Sequence, residues 1–258
     1  MRIVFITCDD VFYLPRFFSH VLGDWVSETG AIVILPPLRD LKTTVRRSYD
    51  LYGPWGFLKN SFRYAVRKAA ARLGGWAPIF RRLSVDGVAR GYGIPILRPA
   101  SVNAPDFVAY VRDTLRPDLV VSVAASQIFK EPLLAVAPRG CINIHGALLP
   151  RYRGMLPSFW TLFNGEREGG VTVHYMSAGI DDGSIIAQRR FPIHDDDTVE
   201  TLIGRSKALG AELLSEVLAR IKGGEVTTAP NNAAEGTYYS FPTRNDVHNL
   251  KARGRAVA

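Results

Sequence analysis

Apolar positions along the chain fall into short unbroken runs set between longer amphipathic stretches. Arg2–Thr7 is almost wholly apolar, as are Ala31–Leu35 and Leu119–Val123. Runs of that length without polar alternation fit parallel strands buried on both faces. Ile94–Leu97 and Cys141–His145 supply two more strands, and Val171–Met176 and Ser184–Phe191 form an extended pair joined by a Gly-Asp turn. Helical spacing lies between the strands. Tyr13, Phe17, Val21 and Trp25 line one side of Phe12–Val26. Val85–Tyr92, Ala104–Leu115, Pro132–Ala137 and Pro157–Asn164 predict shorter helices. Asp197–Ile221 predicts a long one, capped by Asp197 or Thr198 and stopped at Gly223-Gly224. Such alternation predicts an α/β fold with a doubly wound, mostly parallel sheet. Ligands of these sheets bind beyond the carboxyl ends of the strands, near the point where strand order reverses. Chemistry is therefore expected just after Thr7, Val123 and Asn143.

Leu38–Leu83 breaks the pattern. It holds Arg39, Lys42, Arg46, Arg47, Lys59, Arg63, Arg67, Lys68, Arg72, Arg81 and Arg82 against only Asp40 and Asp50. Leu58, Phe62, Ala65, Val66, Ala69 and Leu73 share one helical face. Tyr49, Tyr52, Trp55, Phe57, Tyr64, Trp76 and Phe80 are interleaved. Two interpretations stay open: an amphipathic helix pair that covers the sheet and leaves a basic face in water, or a surface that docks on anionic lipid or RNA.

Composition narrows the classes. With 258 residues, 47% of them apolar, the chain suffices for one large domain plus an appendage. No apolar run nears the ~18–20 residues that span a bilayer, and the N-terminus lacks a secretory pattern, so a cytoplasmic location is expected. Cys8 and Cys141 give neither a metal spacing nor a disulfide framework and are expected to be buried thiols. A net charge of +8 favours acidic partners. Gly91-Tyr92-Gly93 precedes a strand and lacks a third glycine, so it is no dinucleotide fingerprint. Walker-type and nucleophile-elbow motifs are also missing.

Two segments carry candidate chemistry. In Cys141–His145, Asn143 and His145 lie two apart on a strand and so point to the same side. An amide donor beside an imidazole suits the charge that develops on a carbonyl oxygen during acyl transfer; alternatively, both satisfy loop backbone. Asp181-Asp182-Gly183 reads equally as a hairpin turn or as a carboxylate turned inward to orient a histidine.

In Gly140–His145, Leu148–Gly154, Gly170–His174 and the Asp-x-Gly of Asp181–Gly183, the stretch from about Pro117 to Ile221 resembles the formyltransferase family. That family includes methionyl-tRNA, glycinamide ribonucleotide and sugar N-formyltransferases. The resemblance implies a Rossmann-like fold, 10-formyltetrahydrofolate as co-substrate, and Asn143, His145 and Asp181 as catalytic trio. Asp182 is left as a turn residue. Asn143 and protonated His145 would stabilise the oxyanion, and Asp181 would orient the imidazole and receive the amine proton. The resemblance further implies that the pterin enters between Ser126, Gln127, Ile128 and Phe129 and the loop of Ser177, Ala178, Gly179 and Ile180, held mostly by backbone groups. His174 would support the trio from behind. No metal ligand set is expected.

The acceptor is less defined. Cys8-Asp9-Asp10 stands where glycinamide ribonucleotide enzymes have a small phosphate loop, and two carboxylates there repel phosphate. Asp9 and Asp10 could hold an ammonium or sugar hydroxyls, or simply cap a helix; Arg153 is also expected to bind the acceptor. The domain is expected to span 1–223, with the basic insertion at about 38–83 and a short tail of loops at 224–258. That tail is shorter than the tRNA-binding domain of methionyl-tRNA formyltransferases. The expected substrate is thus a small-molecule amine, an amino sugar on a nucleotide or lipid carrier. Methionyl-tRNA is the alternative, and a non-catalytic folate-binding protein or a formyltetrahydrofolate hydrolase a second one. A monomer or homodimer with peripheral contact to anionic membrane completes the expectation.

Overall fold

The computed structural model describes residues 1–37, 40–73 and 78–258. Its continuous apolar runs are central strands. β1 (Ile3–Cys8), β2 (Thr29–Leu35), β3 (Ile96–Leu97), β4 (Leu119–Val123) and β5 (Cys141–His145) pair in parallel. A two-residue β6 (Arg153–Gly154) lies outside this sheet, and β7 (Glu168–Tyr175) and β8 (Ile185–Pro192) add antiparallel at its far edge. The order is β3-β2-β1-β4-β5-β7-β8. Strand order reverses between β1 and β4, where the Thr7 hydroxyl donates to the Val123 carbonyl at 2.7 Å. The mostly parallel, doubly wound sheet is thus the one expected.

Helices cover both faces. α1 (Leu14–Trp25) and α7 (Val199–Gly223) pack Phe17, Phe18, Leu214 and Val217 against Phe5, Ile32, Val121 and Ile142. α4 (Pro105–Tyr110) and α5 (Glu131–Leu134) close the opposite face over Val4, Val33 and Val120. The predicted caps of α7 form: Thr198 makes a capping box with Thr201, and Gly224 ends the helix at φ +79°. α3 (Val85–Gly91) and α6 (Pro157–Phe163) complete the short helices.

Two expectations need correction. The basic segment forms α2 (Leu41–Arg72), kinked at Gly53-Pro54, but it does not cover the sheet. Its main contacts are with α8 (Arg244–Ala252) and the turn at Pro78–Leu83, and Arg67 donates to the Val11 carbonyl. The face predicted to be buried points outward: Leu58, Phe62, Val66 and Leu73 are exposed, and only Leu51 of α2 is buried. Glycine and proline split the helix into two segments; the first packs Leu51 and Tyr52 inward, and the second turns its polar side to the body. Leu38, Arg39 and Trp76 lie outside the described residues. The tail is also more than loops. β9 (Tyr238–Tyr239) pairs in parallel with β6, and α8 buries Val247 and Leu250 in a third apolar cluster with Phe159 and Val199. Its amphipathic spacing is short and follows a loop closed by Pro242, so the pattern alone does not set it apart. No described helix is long and apolar enough to cross a membrane.

Candidate active site

β5 faces two ways. Ile142 and Ile144 enter the core beneath α1 and α7, which sends Asn143 and His145 to the opposite side. Antiparallel pairing sets His174 directly beside Asn143. The loop after β7 then carries Asp181 back over this pair.

The four side chains form one network. Asp181 Oδ2 stands 3.5 Å from His145 Nδ1, and Oδ1 accepts from the Asn143 amide at 3.4 Å. Asn143 also donates to His174 Nε2 at 3.2 Å, while His174 Nδ1 donates to the Tyr175 carbonyl at 2.7 Å. Those bonds fix His174 as a neutral ring with its proton on Nδ1. Burial, with the His145 charge as a lesser cause, holds its pKa below the usual value despite the Asp181 carboxylate. The expected trio is therefore brought together, and His174 orients the amide of Asn143. His145 is nearly buried, and its Nε2 donates to the Tyr152 carbonyl at 2.8 Å. The tighter of Asn143's two bonds points away from the carboxylate, so its longer one to Asp181 is the readily exchanged donor.

Residues around the trio hold it in place. The Gly154 amide donates to Asp181 Oδ2 at 2.9 Å, and Asn231 donates to the Asp181 and Gly183 carbonyls at 2.9 and 3.0 Å. Left-handed backbone gathers here. Tyr152, Leu156 and Asp181 have φ of +62°, +52° and +50°, and Gly154 has +95°. Strain of about 1–3 kcal/mol per non-glycine position persists only where surroundings enforce it. The enforcing contacts come from the tail. Thr237 accepts from the Arg153 amide and, through its hydroxyl, from that of Tyr152, and the Tyr152 ring stacks on Tyr239, which stacks on Trp160. Sequence reasoning missed Tyr152, Asn231 and Thr237 as individual residues; only the Leu148–Gly154 motif marked this region.

The remaining expected residues are more dispersed. Ser126 donates to the Pro36 carbonyl, and Gln127 bridges Ala100 and Val102. Phe129 is core, while Ile128 is exposed. Ser177 bonds Asp182, a methyl on Gly179 would strike the Asp182 carboxylate, and Ile180 accepts from Arg153 through its carbonyl at 3.0 Å. Ala178 is exposed on the same loop. Asp10 caps α1 by accepting from Phe12, Tyr13 and Leu14, so the capping alternative describes it. Asp9 pairs within the chain, with the Lys68 ammonium at 3.0 Å. It borders a cleft of about 550 Å³ whose charged lining is Lys68, Arg72, Arg81, Arg90 and Arg98 against Asp9 and Asp86. Cys141 is buried and Cys8 partly so. Among the described residues, no group of three or more His, Cys, Asp or Glu side chains could hold a metal ion.

The profile of the formyl transferase family matches residues 71–218, more than half of the chain and all four side chains of this network, while Asn231, Thr237 and Tyr239 lie beyond it. The chain belongs to the formyl transferase family. Methionyl-tRNA formyltransferase of Geobacter metallireducens is 42% identical over 162 residues, which are 63% of this chain and 52% of that one. The same enzyme of an Anaeromyxobacter species is 40% identical over 175 residues, 68% of this chain and 56% of that one. The chain thus spans about half the length of the curated relatives it matches. Among solved structures, a sugar N-formyltransferase from a Shewanella species superposes with TM-score 0.62 at 20% identity, covering 97% of this chain and 88% of that one. Glycinamide ribonucleotide transformylase 1 of Symbiobacterium toebii does so with TM-score 0.62 at 20% identity, covering 90% and 92%. The fold of this family member is that of these enzymes.

Proposed function

We propose that the chain transfers the formyl group of 10-formyltetrahydrofolate to a primary amine borne on an anionic small molecule, an amino sugar on a nucleotide or lipid carrier. The convergence of Asn143, His145 and Asp181 in a family member carries the reaction class. A neutral amine attacks the formyl carbon. A carbon–nitrogen bond forms, the bond from that carbon to the folate nitrogen breaks, and one amine proton passes to the departing nitrogen. Asn143 exchanges its long bond to Asp181 for the oxyanion. His145 exchanges the Tyr152 carbonyl for the same oxygen, and Asp181 steadies the ring and accepts the amine proton directly or through water. Support for a folate site comes from the two loops, whose side chains are mostly committed to protein or to solvent. A pterin edge would meet their backbone groups, with Ile128 and Ile180 offering apolar contact.

The excess of cations in the cleft beside Asp9 supports the anionic acceptor. Three of those cations already pair with Asp9 and Asp86, at 3.0, 2.6 and 2.7 Å, so a phosphate would share them. A second acceptor, methionyl-tRNA, is favoured by the identity of about 40% to enzymes of that name. Offering nucleotide-linked amino sugars, methionyl-tRNA and glycinamide ribonucleotide to the purified protein, and following tetrahydrofolate release, tests the proposal. Turnover with the sugar substrates supports it. Turnover with tRNA alone replaces the acceptor, and turnover without amine makes the protein a hydrolase.

A further inference from the structure

The second segment of α2 is inside out. Its polar residues face the body: Asn60 and Arg63 reach Glu200, Arg67 bonds the Val11 carbonyl, and the Arg63 and Arg67 guanidinium groups lie over the Phe12 ring at 5.4 and 5.3 Å. Its apolar residues face away. Trp55, Leu58 and Phe62 are 82%, 61% and 70% exposed, and with Val66 they form a stripe at helical spacing. On the first segment Leu41, Val45 and Tyr49 also face outward, while Leu51 packs inward. A contiguous apolar stripe in water is unfavourable unless something covers it.

Cations flank the stripe. Lys42, Arg46, Lys59 and Arg72 are exposed along α2, whereas its single acid, Asp50, is largely shielded and lies 3.9 Å from Arg46. Two copies docking through this face would oppose like charges. An anionic lipid surface would instead receive the apolar residues between its headgroups and the cations at its phosphates. We infer that α2 is an interfacial helix which seats the protein on anionic membrane through Trp55, Leu58 and Phe62. The cationic cleft includes Lys68 and Arg72 from the end of the same helix, so docking would set its wall near the lipid surface. The membrane inference stands on the α2 face alone, whatever the acceptor.

Co-sedimentation of the full chain with phosphatidylcholine vesicles, with and without phosphatidylglycerol, tests it. Binding is expected only with the anionic lipid, together with quenching of Trp55 fluorescence by brominated acyl chains. Trp55→Ser/Phe62→Ser removes exposed apolar groups; it should abolish binding and leave thermal unfolding unchanged. Lys42→Glu/Arg46→Glu/Lys59→Glu should weaken binding by at least about a hundredfold, from about fivefold per lost cation. Three outcomes overturn the inference: no binding to anionic vesicles, equal binding to neutral ones, or a dimer in solution that Phe62→Ser dissolves while vesicles go unbound. Since the readout is sedimentation, loss of catalytic activity would not mimic any of them.

Discussion

Gly154 sits where the loop that bonds Asp181 meets the tail, so Gly154→Ala has a large expected cost. A Cβ there would lie 2.3 Å from the Tyr239 carbonyl oxygen and 2.9 Å from the Tyr238 ring, on backbone at φ +95°. The ring can turn, but the carbonyl belongs to β9. Relief means parting β6 from β9, with loss of the Arg153–Thr237 and Met155–Tyr239 backbone bonds, each 2.8 Å. Two such bonds contribute about 1–3 kcal/mol, and left-handed strain on alanine adds about 1–2. The sum is about 2–5 kcal/mol, or roughly 4–20 °C in Tm for a chain of this size. Movement of Gly154 also withdraws its amide from Asp181, and a misplacement near 1 Å costs about a hundredfold in turnover. Gly165→Ala is the matched control. It too has positive φ, +72°, but nothing lies within 4 Å of its Cβ site, so strain alone acts and turnover should hold. Thermal unfolding and formyl transfer measured on both variants separate clash from strain. Equal losses of Tm and equal turnover in the pair would rule out the clash of the Cβ with β9.

Other outcomes follow from the same contacts. Asp181→Asn keeps the shape but removes the charge facing His145, and kcat should fall about 10²–10⁴-fold, read in single turnovers. Asn143→Ala removes an oxyanion donor and should cost about 10²–10³-fold with little change in folate KM. His174 is held neutral in the fold, chiefly by burial, below its ordinary value of 6.5. The unfolded chain therefore takes up its proton first, so this contribution is complete above about pH 6.5 and is lost as pH falls, by at most about 1.4 kcal/mol per unit. Urea midpoints from pH 7.5 to 5 should show a steeper acid loss in the wild type than in His174→Gln. Burial first, then Asp10, pushes the Cys8 thiol up to about 11, and burial pushes that of Cys141 up to about 12, so neither should react quickly with a thiol reagent at pH 8 while folded.

The sheet was legible because its strands are buried on both faces, leaving unbroken apolar runs that no surface element imitates. The i, i+2 relation of Asn143 and His145 likewise follows from strand geometry and needs no tertiary information. Asp181 was not separable from Asp182 by spacing; the fold separates them, because Asp181 reaches the trio while Asp182 bonds Ser177. Periodicity misled at α2, since an apolar stripe predicts a face but not what it meets. The tail was opaque for a related reason: Thr237 and Tyr239 act through long-range pairing with Arg153 and Gly154, which no local pattern encodes. Asn231 bonds two backbone carbonyls some fifty residues away and has no signature at all.

Formyl transfer to an amine is proposed to rest on Asn143, His145 and Asp181. Tetrahydrofolate release from 10-formyltetrahydrofolate, followed across the amine panel for the wild type and His145→Ala, tests it most directly. Amine-dependent release should fall at least about a hundredfold in the variant while folate binding persists. Amine-dependent release that survives in His145→Ala, or folate binding with no release for any amine, would contradict it.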